Sequence, residues 1–500
     1  MTDRIVVEIT LTTDAGGGTT TYYMGTSGYA TKPTDTPANA YIAPRIKSVG
    51  AFKRELFSGS RVTGAVRPSF GEIVLMNNDG GLDAWMGYAI SGAKVIVRIG
   101  DENAAYPAGY TTVYVAYAQH LVADFDQIRL RLRDRLNLLE QPLVTAQFTG
   151  AGGLEGSSGV AGKLKQWVAV GPGYFPPILI DAASQLYFVQ STGTGGLGAS
   201  IKVYEGALEI TKGASYPDAA TCLSTSPAAG EARFWMGTGG NGPVYFRLGS
   251  VPQYDLRVWG AGYQPSGGAW TLAAIAALAG ITGGTGTVQP GEVLVDDSRS
   301  YMQVMEDGCA IQWGYFGMTR LDAFVSNIFD VPGGSPLYTF TQHNAKNWSR
   351  APTQDMDAPV WSVTVNSGKT WPSNLVAGAG LTERDYMTRS PWWVSFSRTD
   401  ATVKTANPGA VAVVIDTPCR NFPNSFSQTT FLDGYFARYG VRRDFYTCTV
   451  PLTPETIALE LHDTVQIKLP RFGLSAGKHM RIITQQIDAD RREITYGMWG

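Results

Sequence analysis

Five hundred residues exceed what a single hydrophobic core organises and predict two to four domains. A formal net charge of -2 with 16% charged side chains excludes a chain that holds nucleic acid or anionic lipid by bulk electrostatics, and 44% hydrophobic content excludes disorder. Low charge together with 59 Gly, 24 Tyr and 12 Trp suits a chain that buries much of its surface against neighbours. No apolar run approaches the roughly 20 residues a membrane-spanning helix needs. Met1-Thr2-Asp3-Arg4 leads into a strand rather than a signal-peptide core, so synthesis in the cytoplasm is expected.

Residues 1–145 read as β. Ile5, Val7, Ile9 and Leu11 alternate with polar positions apart from Val6, and residues 31–39, with Pro33 and Pro37, read as a loop. Gly71 to Leu75 is a strand closed by Asn77-Asn78-Asp79-Gly80-Gly81, where Asn and Gly accept positive φ. Val95 to Ile99, Val113 to Tyr117 and Ile128 to Arg133 follow. Glycine and serine dominate from Gly150 to Gly162, which reads as a linker. Short, evenly spaced strands between Lys163 and Gly262 then predict a sandwich. Helices are expected only between about residues 270 and 330. They are Leu272 to Leu278, with Thr271 as cap and Gly280 as stop, Ser300 to Glu306, and a stripe of Leu321, Phe324, Val325 and Ile328. Ile311, Trp313 and Tyr315 alternate as a strand between them.

At the C-terminal end Thr464 to Leu469 alternates strictly, Pro470 stops the ladder, and residues 471–478 make an excursion. Met480 to Ile487, the turn Asp488-Ala489-Asp490 and a strand with Ile494, Tyr496 and Met498 on one face complete the chain. This series matches an earlier one in pattern: Val95 to Ile99, a loop, Val113 to Val122, the turn Asp124-Phe125-Asp126 and the strand from Ile128. An internal repeat would explain the match; independent hairpins with acidic turns would produce it too.

Catalytic and ligand motifs are weak. Gly193-Thr194-Gly195-Gly196-Leu197-Gly198 fits G-x-G-x-x-G, but a strand follows where a dinucleotide site needs a helix. Gly162-Lys163 is followed by Leu164 where a P-loop needs Ser or Thr. Asn347-Trp348-Ser349 is a formal sequon. Asp355 and Asp357 are a candidate acid pair whose setting favours a loop, and His120, His343, His462 and His479 share no ligand spacing and read as surface or strand-edge residues. Cys222, Cys309, Cys419 and Cys448 lack the tight pair of a zinc knuckle; folding could gather them around an iron–sulfur cluster, but buried thiols are the expectation. Arg129, Arg131 and Arg133 share a strand face that Arg135 extends. Nearby Asp124, Asp126 and Asp134 favour a solvated or inter-subunit face over one that touches a nucleic acid backbone.

Several stretches in fixed order carry a family likeness. They are Tyr29 to Ala38, Gly71-Glu72-Ile73-Val74-Leu75-Met76-Asn77-Asn78-Asp79-Gly80-Gly81-Leu82-Asp83, Gly162-Lys163 through Pro176-Pro177-Ile178-Leu179-Ile180-Asp181, Tyr245 to Gly249, and Leu469 to Leu474 through Trp499-Gly500. The chain resembles a tail-tip structural protein of long flexible-tailed bacteriophages, the hub of a tail baseplate. The resemblance implies a mainly β, multidomain fold with two β-barrel-like hub domains at residues 1–149 and 359–500, an inserted β-sandwich at 150–265 and a small α+β module at 266–358. It implies a homotrimer whose six barrels match the sixfold tail tube. It also implies docking to the tail tube or distal tail protein, the tape-measure protein and the fibres, with DNA passing transiently on ejection. The chain would then reside in the virion, with no cofactor, metal or catalytic residue, and would not be an enzyme. One alternative is a distal tail adaptor that forms a hexameric ring. Another is a host-glycan binder or depolymerase that stacks sugars on Trp235, Trp259, Trp348, Trp361, Trp371, Trp392 and Trp393, although the repetitive turns of a β-helix are missing.

Overall fold

The computed structural model describes residues 3–13, 16–57, 67–169, 172–191, 201–206, 208–237, 242–261, 271–288, 293–295, 297–350, 358–367, 394–416 and 428–500. Both ends of the chain build one fourteen-stranded sheet. The first part supplies β1 (Asp3–Thr12), β2 (Thr19–Gly25), β3 (Ile46–Ser48), β4 (Ala51–Glu55), β5 (Phe70–Met76), β6 (Ala89–Asp101), β7 (Tyr110–Ala123) and β8 (Gln127–Arg133). The last part supplies β9 (Thr339–Thr341), β10 (Lys346–Arg350), β11 (Phe445–Pro451), β12 (Thr464–Lys468), β13 (Lys478–Asp488) and β14 (Glu493–Trp499). Strand order is β2-β1-β6-β7-β8-β5-β4-β13-β14-β11-β10, with β3 on β5 and the pair β9-β12 on β13. Strands from both ends of the chain thus lie side by side in one open sheet, and no closed barrel forms among the described residues.

Alternation places one apolar face of each half in a common core. Ile73, Leu75, Ile128 and Leu130 meet Ile482, Ile487, Ile494 and Tyr496 there. Val6 breaks the alternation of β1 for a reason: its own face is covered by Ile42, Tyr106 and Tyr110.

Between β8 and β9 the chain makes two excursions. A four-stranded and a five-stranded sheet pack face to face as the expected sandwich, with Phe175, Val203 and Val258 of one against Tyr187, Phe234 and Phe246 of the other. The glycine-rich stretch before it is folded rather than a bare linker: the short turns Gly153–Glu155 and Ser158–Val160 bring Val160 under Phe188 and Tyr245. Helices Leu272–Leu278 and Tyr301–Ala310 then pack on a three-stranded sheet. Ser300 caps the second through a reciprocal box with Gln303. Thr271 stands at the cap position of the first without a side-chain cap bond.

Three expectations are corrected. The stripe at Leu321, Phe324, Val325 and Ile328 is not helical: Phe324–Ile328 is a strand paired with Gly314–Met318. Phe324 and Ser326 point inward, and at this length two buried side chains fit either period. The strand foreseen at Ile311 to Tyr315 begins only at Gly314, because Trp313 takes a left-handed φ of 50°. Helices also occur outside residues 270–330, the longest being Gln428–Tyr439. That helix packs on the small sheet of Val360–Ser367, Val394–Thr399 and Val411–Asp416 and, with Trp313 and Phe329, covers Trp499 on the outer side of β14.

Gly434 lets this helix approach. A Cβ at that position would lie 2.3 Å from the ring of Trp313, which is 4% exposed and stacks on Phe431. Alanine in a helix ordinarily gains about 1 kcal/mol over glycine, but overpacking a core costs about 1–3 kcal/mol. We therefore expect Gly434→Ala to destabilise the fold by up to about 2 kcal/mol in chemical denaturation; a more stable variant would contradict this packing.

Candidate assembly surface

The residues singled out for chemistry do not converge. Among the described residues no three His, Cys, Asp or Glu side chains gather as a metal site. Cys222, Cys309 and Cys448 are buried in three different cores, so these three cannot share a cluster. Cys419, Asp355, Asp357, Gly193 to Gly198, Trp371, Trp392 and Trp393 lie outside the described residues. His120 and His479 sit in strands and His343 is exposed. His462 departs from its expected surface setting: it packs 4.7 Å from Tyr315 and 5.5 Å from Phe329 between ring centroids. Burial, with Arg481 and Arg438 nearby, holds its pKa down to about 3, so this partly buried ring is neutral. Trp235 packs on Tyr245, Trp361 lies 4.1 Å from the Lys404 ammonium, and Trp348 donates Nε1–H to the Ala345 carbonyl at 3.1 Å.

What does converge is the repeat. Strands β5 to β8 and β11 to β14 are each four consecutive strands in the spatial order second, third, fourth, first, all antiparallel. A short helical turn joins the first strand to the second in both, at Asp83–Gly87 and Pro454–Ile457. The registers coincide residue by residue. Seven pairs run from Phe70↔Arg133 to Met76↔Gln127, and seven from Phe445↔Trp499 to Pro451↔Glu493. The third strand bulges at the same place, skipping Gln119 between His120 and Ala118 in one copy and Ile483 between Thr484 and Ile482 in the other. Ile128, Leu130 and Leu132 thus stand where Ile494, Tyr496 and Met498 stand, and both sets are buried.

The likeness extends to the flanking edge. Beside the first strand of each copy runs a bulged neighbour: Ser48↔Val74 and Lys53↔Phe70 in one, Lys346↔Thr449 and Ser349↔Thr447 in the other. Each takes up one extra residue near a left-handed position, Gly50 at φ 63° and Asn347 at φ 54°. Glycine is required at the first, where a Cβ would lie 2.7 Å from the Glu72 carbonyl oxygen.

Within the chain the two copies join at one junction. The far edge of β4 pairs with β13 from Ala51↔Asp488 to Glu55↔Thr484. The turn after β13 caps the bulge, the Asp490 carboxylate accepting from the Val49 and Gly50 amides at 3.0 and 3.1 Å. Beneath lies Arg54, 3% exposed, whose guanidinium donates to Gln485 Oε1 at 2.7 Å and the Met318 carbonyl at 2.8 Å and pairs with Glu460 at 2.7 Å. Arg320 adds bonds to the Ile457 and Thr112 carbonyls at 2.9 and 2.6 Å. Both copies and the α+β module are therefore tied through a buried polar cluster.

The equivalent edge in the first copy has no partner strand among the described residues. Pairing of β7 with β6 ends at Tyr117↔Lys94, as that of β13 with β12 ends at Arg481↔Thr464. Beyond it, β13 receives β4, whereas residues 118–123 of β7 pair on that side with no described strand. Phe125, at the tip of the following turn, is 98% exposed. Sequence reasoning missed it; an aromatic between two aspartates at a hairpin tip was the available signal. The arginine stripe meets carboxylates of its own chain: Arg129 pairs with Asp124 at 3.3 Å, Arg133 approaches Glu140 at 3.9 Å, and Arg135 pairs with Asp322 at 2.8 Å. Arg131 lies across from His120 and Glu72.

Neither family models nor curated proteins match this chain. Among solved structures it is similar to a 43 kDa tail protein of prophage MuSo2 from Shewanella oneidensis, at 11% identity and a TM-score of 0.41, covering 99% of this chain and 96% of that one. It is similar also to a tail protein from Neisseria meningitidis MC58, at 8% identity and a TM-score of 0.44, covering 100% and 97%. A third similarity, to a chain of a native gene transfer agent virion, has 12% identity and a TM-score of 0.41, covering 67% and 84%.

Two outcomes are expected from this geometry. Arg54→Ala leaves the buried Gln485 and the Met318 carbonyl without their donor and the partly exposed Glu460 without its nearest cation, and stranding buried polar groups in this way costs about 1–3 kcal/mol; a loss below about 0.5 kcal/mol in denaturant titration would show that the cluster does not hold the junction. Asp134, 4% exposed just after β8, accepts from the Ser69 and Leu136 amides at 2.8 and 3.1 Å, yet burial pushes its pKa up to about 6. The folded chain therefore keeps a proton that the unfolded chain releases near its ordinary value of 3.8. That stabilisation is present at low pH and is lost as pH rises from about 4 to about 6. Asp134→Asn should flatten this part of the stability–pH curve relative to the parent chain, and an unchanged slope would count against a protonated Asp134.

Proposed function

We propose that this chain is a structural protein of a bacteriophage tail tip, the hub that closes the tail tube, seats the tape-measure protein, carries fibres and leaves a channel for DNA. Its class comes from the ordered motifs that resemble tail-tip proteins. The observation that carries the hub role is the internal repeat: one chain holds two register-matched copies of one sheet unit joined edge to edge. Such a chain offers each neighbour two near-equivalent surfaces, so a ring of three chains presents six similar units to a sixfold tube. In this reading the chain acts by shape and pairing rather than by catalysis, and resides in the virion. DNA passes without being gripped, in keeping with a net charge of -2.

Two measurements test it together. Light scattering on the purified chain should give about three times the 53.7 kDa protomer mass, and gold-labelled antibody on intact particles should mark the tail end distal to the head. A six-chain ring would favour the adaptor reading, and label elsewhere on the particle would contradict a tail-tip position.

A further inference from the structure

We infer that the cavity where the α+β module meets the large sheet is a docking pocket for one neutral aromatic side chain, tryptophan or tyrosine, of a partner protein. It lies apart from both sheet edges, and its occupancy does not depend on how many chains assemble. The cavity measures about 480 Å³, and natural binding sites of this size favour boundaries between packed units. Its floor is the face of the three-stranded sheet turned away from the helices. Phe316, Met318 and Phe324 point to the helices, so Tyr315, Gly317 and Val325 face the other way. Thr285, Val325 and Gly317 stand side by side across the three strands, and Asn327 and Tyr315 form the next row. Leu56 and Leu461 wall the cavity, and Arg54 and Glu460 line it where β4 meets the segment before β12.

Two features say what the pocket takes. At Gly317 the floor is hollow: a Cβ there would meet nothing within 4 Å, although its strand neighbours Phe316 and Met318 are buried. A flat apolar ring fits over Gly317 and Val325, between the leucines. The second feature is Glu460. Arg54 pairs with its Oε2 at 2.7 Å, while Oε1 stands 3.6 Å from Arg320, beyond hydrogen-bond reach, and receives no donor among the described residues. Two guanidinium groups already balance this carboxylate, so a further cation gains little there, and a neutral N–H or O–H is the matching group. Indole and phenol side chains combine such a donor with an apolar body. A sugar would strand most of its hydroxyls against Leu56, Val325 and Leu461. The mouth is rimmed by exposed Thr285, Thr287 and Asn327, polar groups that suit the backbone carrying a partner's anchor. A ring held there touches β4, the α+β module and the segment before β12 at once, and so locks the junction between the two copies.

Fluorine NMR on the full chain tests the pocket, with fluoroindole, para-fluorophenol and para-fluorotoluene as probes. The first two are expected to bind saturably, and fluorotoluene, which lacks the donor, about tenfold more weakly. Gly317→Val fills the hollow without a clash and suits a strand; it is expected to abolish probe binding at an unchanged melting temperature. No saturable binding by the parent chain, or equal binding by the folded Gly317→Val variant, overturns the pocket, and equal affinity for fluorotoluene overturns the part given to Glu460. A second measurement identifies the occupant and needs no change inside the cavity. A benzophenone side chain placed at the exposed Thr287 and irradiated in assembled particles is expected to form an adduct with a tryptophan- or tyrosine-bearing peptide of another virion protein. An adduct confined to copies of this chain, an adduct on a peptide with neither residue, or probe binding with no adduct on any other protein overturns the assignment to a partner's side chain.

Discussion

A strand cannot leave its backbone donors and acceptors unpaired in a buried sheet, and β13 is the strand on which this requirement falls hardest. Eleven residues long, it is flanked along its length by β14 on one side and by β12 and then β4 on the other. The hand-over from β12 to β4 is where two copies of one unit become a single sheet. The buried contacts of Arg54, the Asp490 cap on the Gly50 bulge and the common core of both halves all depend on that pairing. Were β4 displaced, Gln485 and Glu460 would lose a cationic partner in a setting where a buried polar group without one is costly.

The same unit meets different surroundings in its two positions, and the residues that differ are those that face outward. On the outer face of the closing strand, Arg129, Arg131 and Arg133 of one copy correspond to Thr495, Gly497 and Trp499 of the other. The first set faces solvent and nearby carboxylates, whereas Trp499 of the second lies beneath Trp313, Phe329 and the helix Gln428–Tyr439. Inward residues are apolar in both. The two copies thus share the core pattern and differ on the outer face, where one carries an intramolecular cover and the other has none among the described residues.

Much of this was legible in the sequence. Strict alternation in Thr464 to Leu469 and Ile128 to Arg133, two acidic turns and the stop at Pro470 located the repeat, because period and turn chemistry are local properties. Local reasoning reaches no further. It could not pair β4 with a strand more than 400 residues away in the chain, nor see that β9 and β10 join the large sheet from within the stretch assigned to the α+β module. It misread Leu321 to Ile328 as helical because two buried side chains in a short run fit either period. It took His462 for a surface residue because the rings and arginines around it come from distant segments. For the candidate assembly surface, the sequence offered only Phe125 and its two aspartates; that residues 118–123 of β7 pair on one side with no described strand follows from topology alone.

The proposed function requires one chain to contribute two near-equivalent units to a closed ring. Imaging the purified assembly down its axis tests it most directly. The account predicts threefold symmetry with six similar lobes, alternating between two kinds. Six identical lobes, one from each of six chains, or a threefold particle with only three lobes, would contradict it.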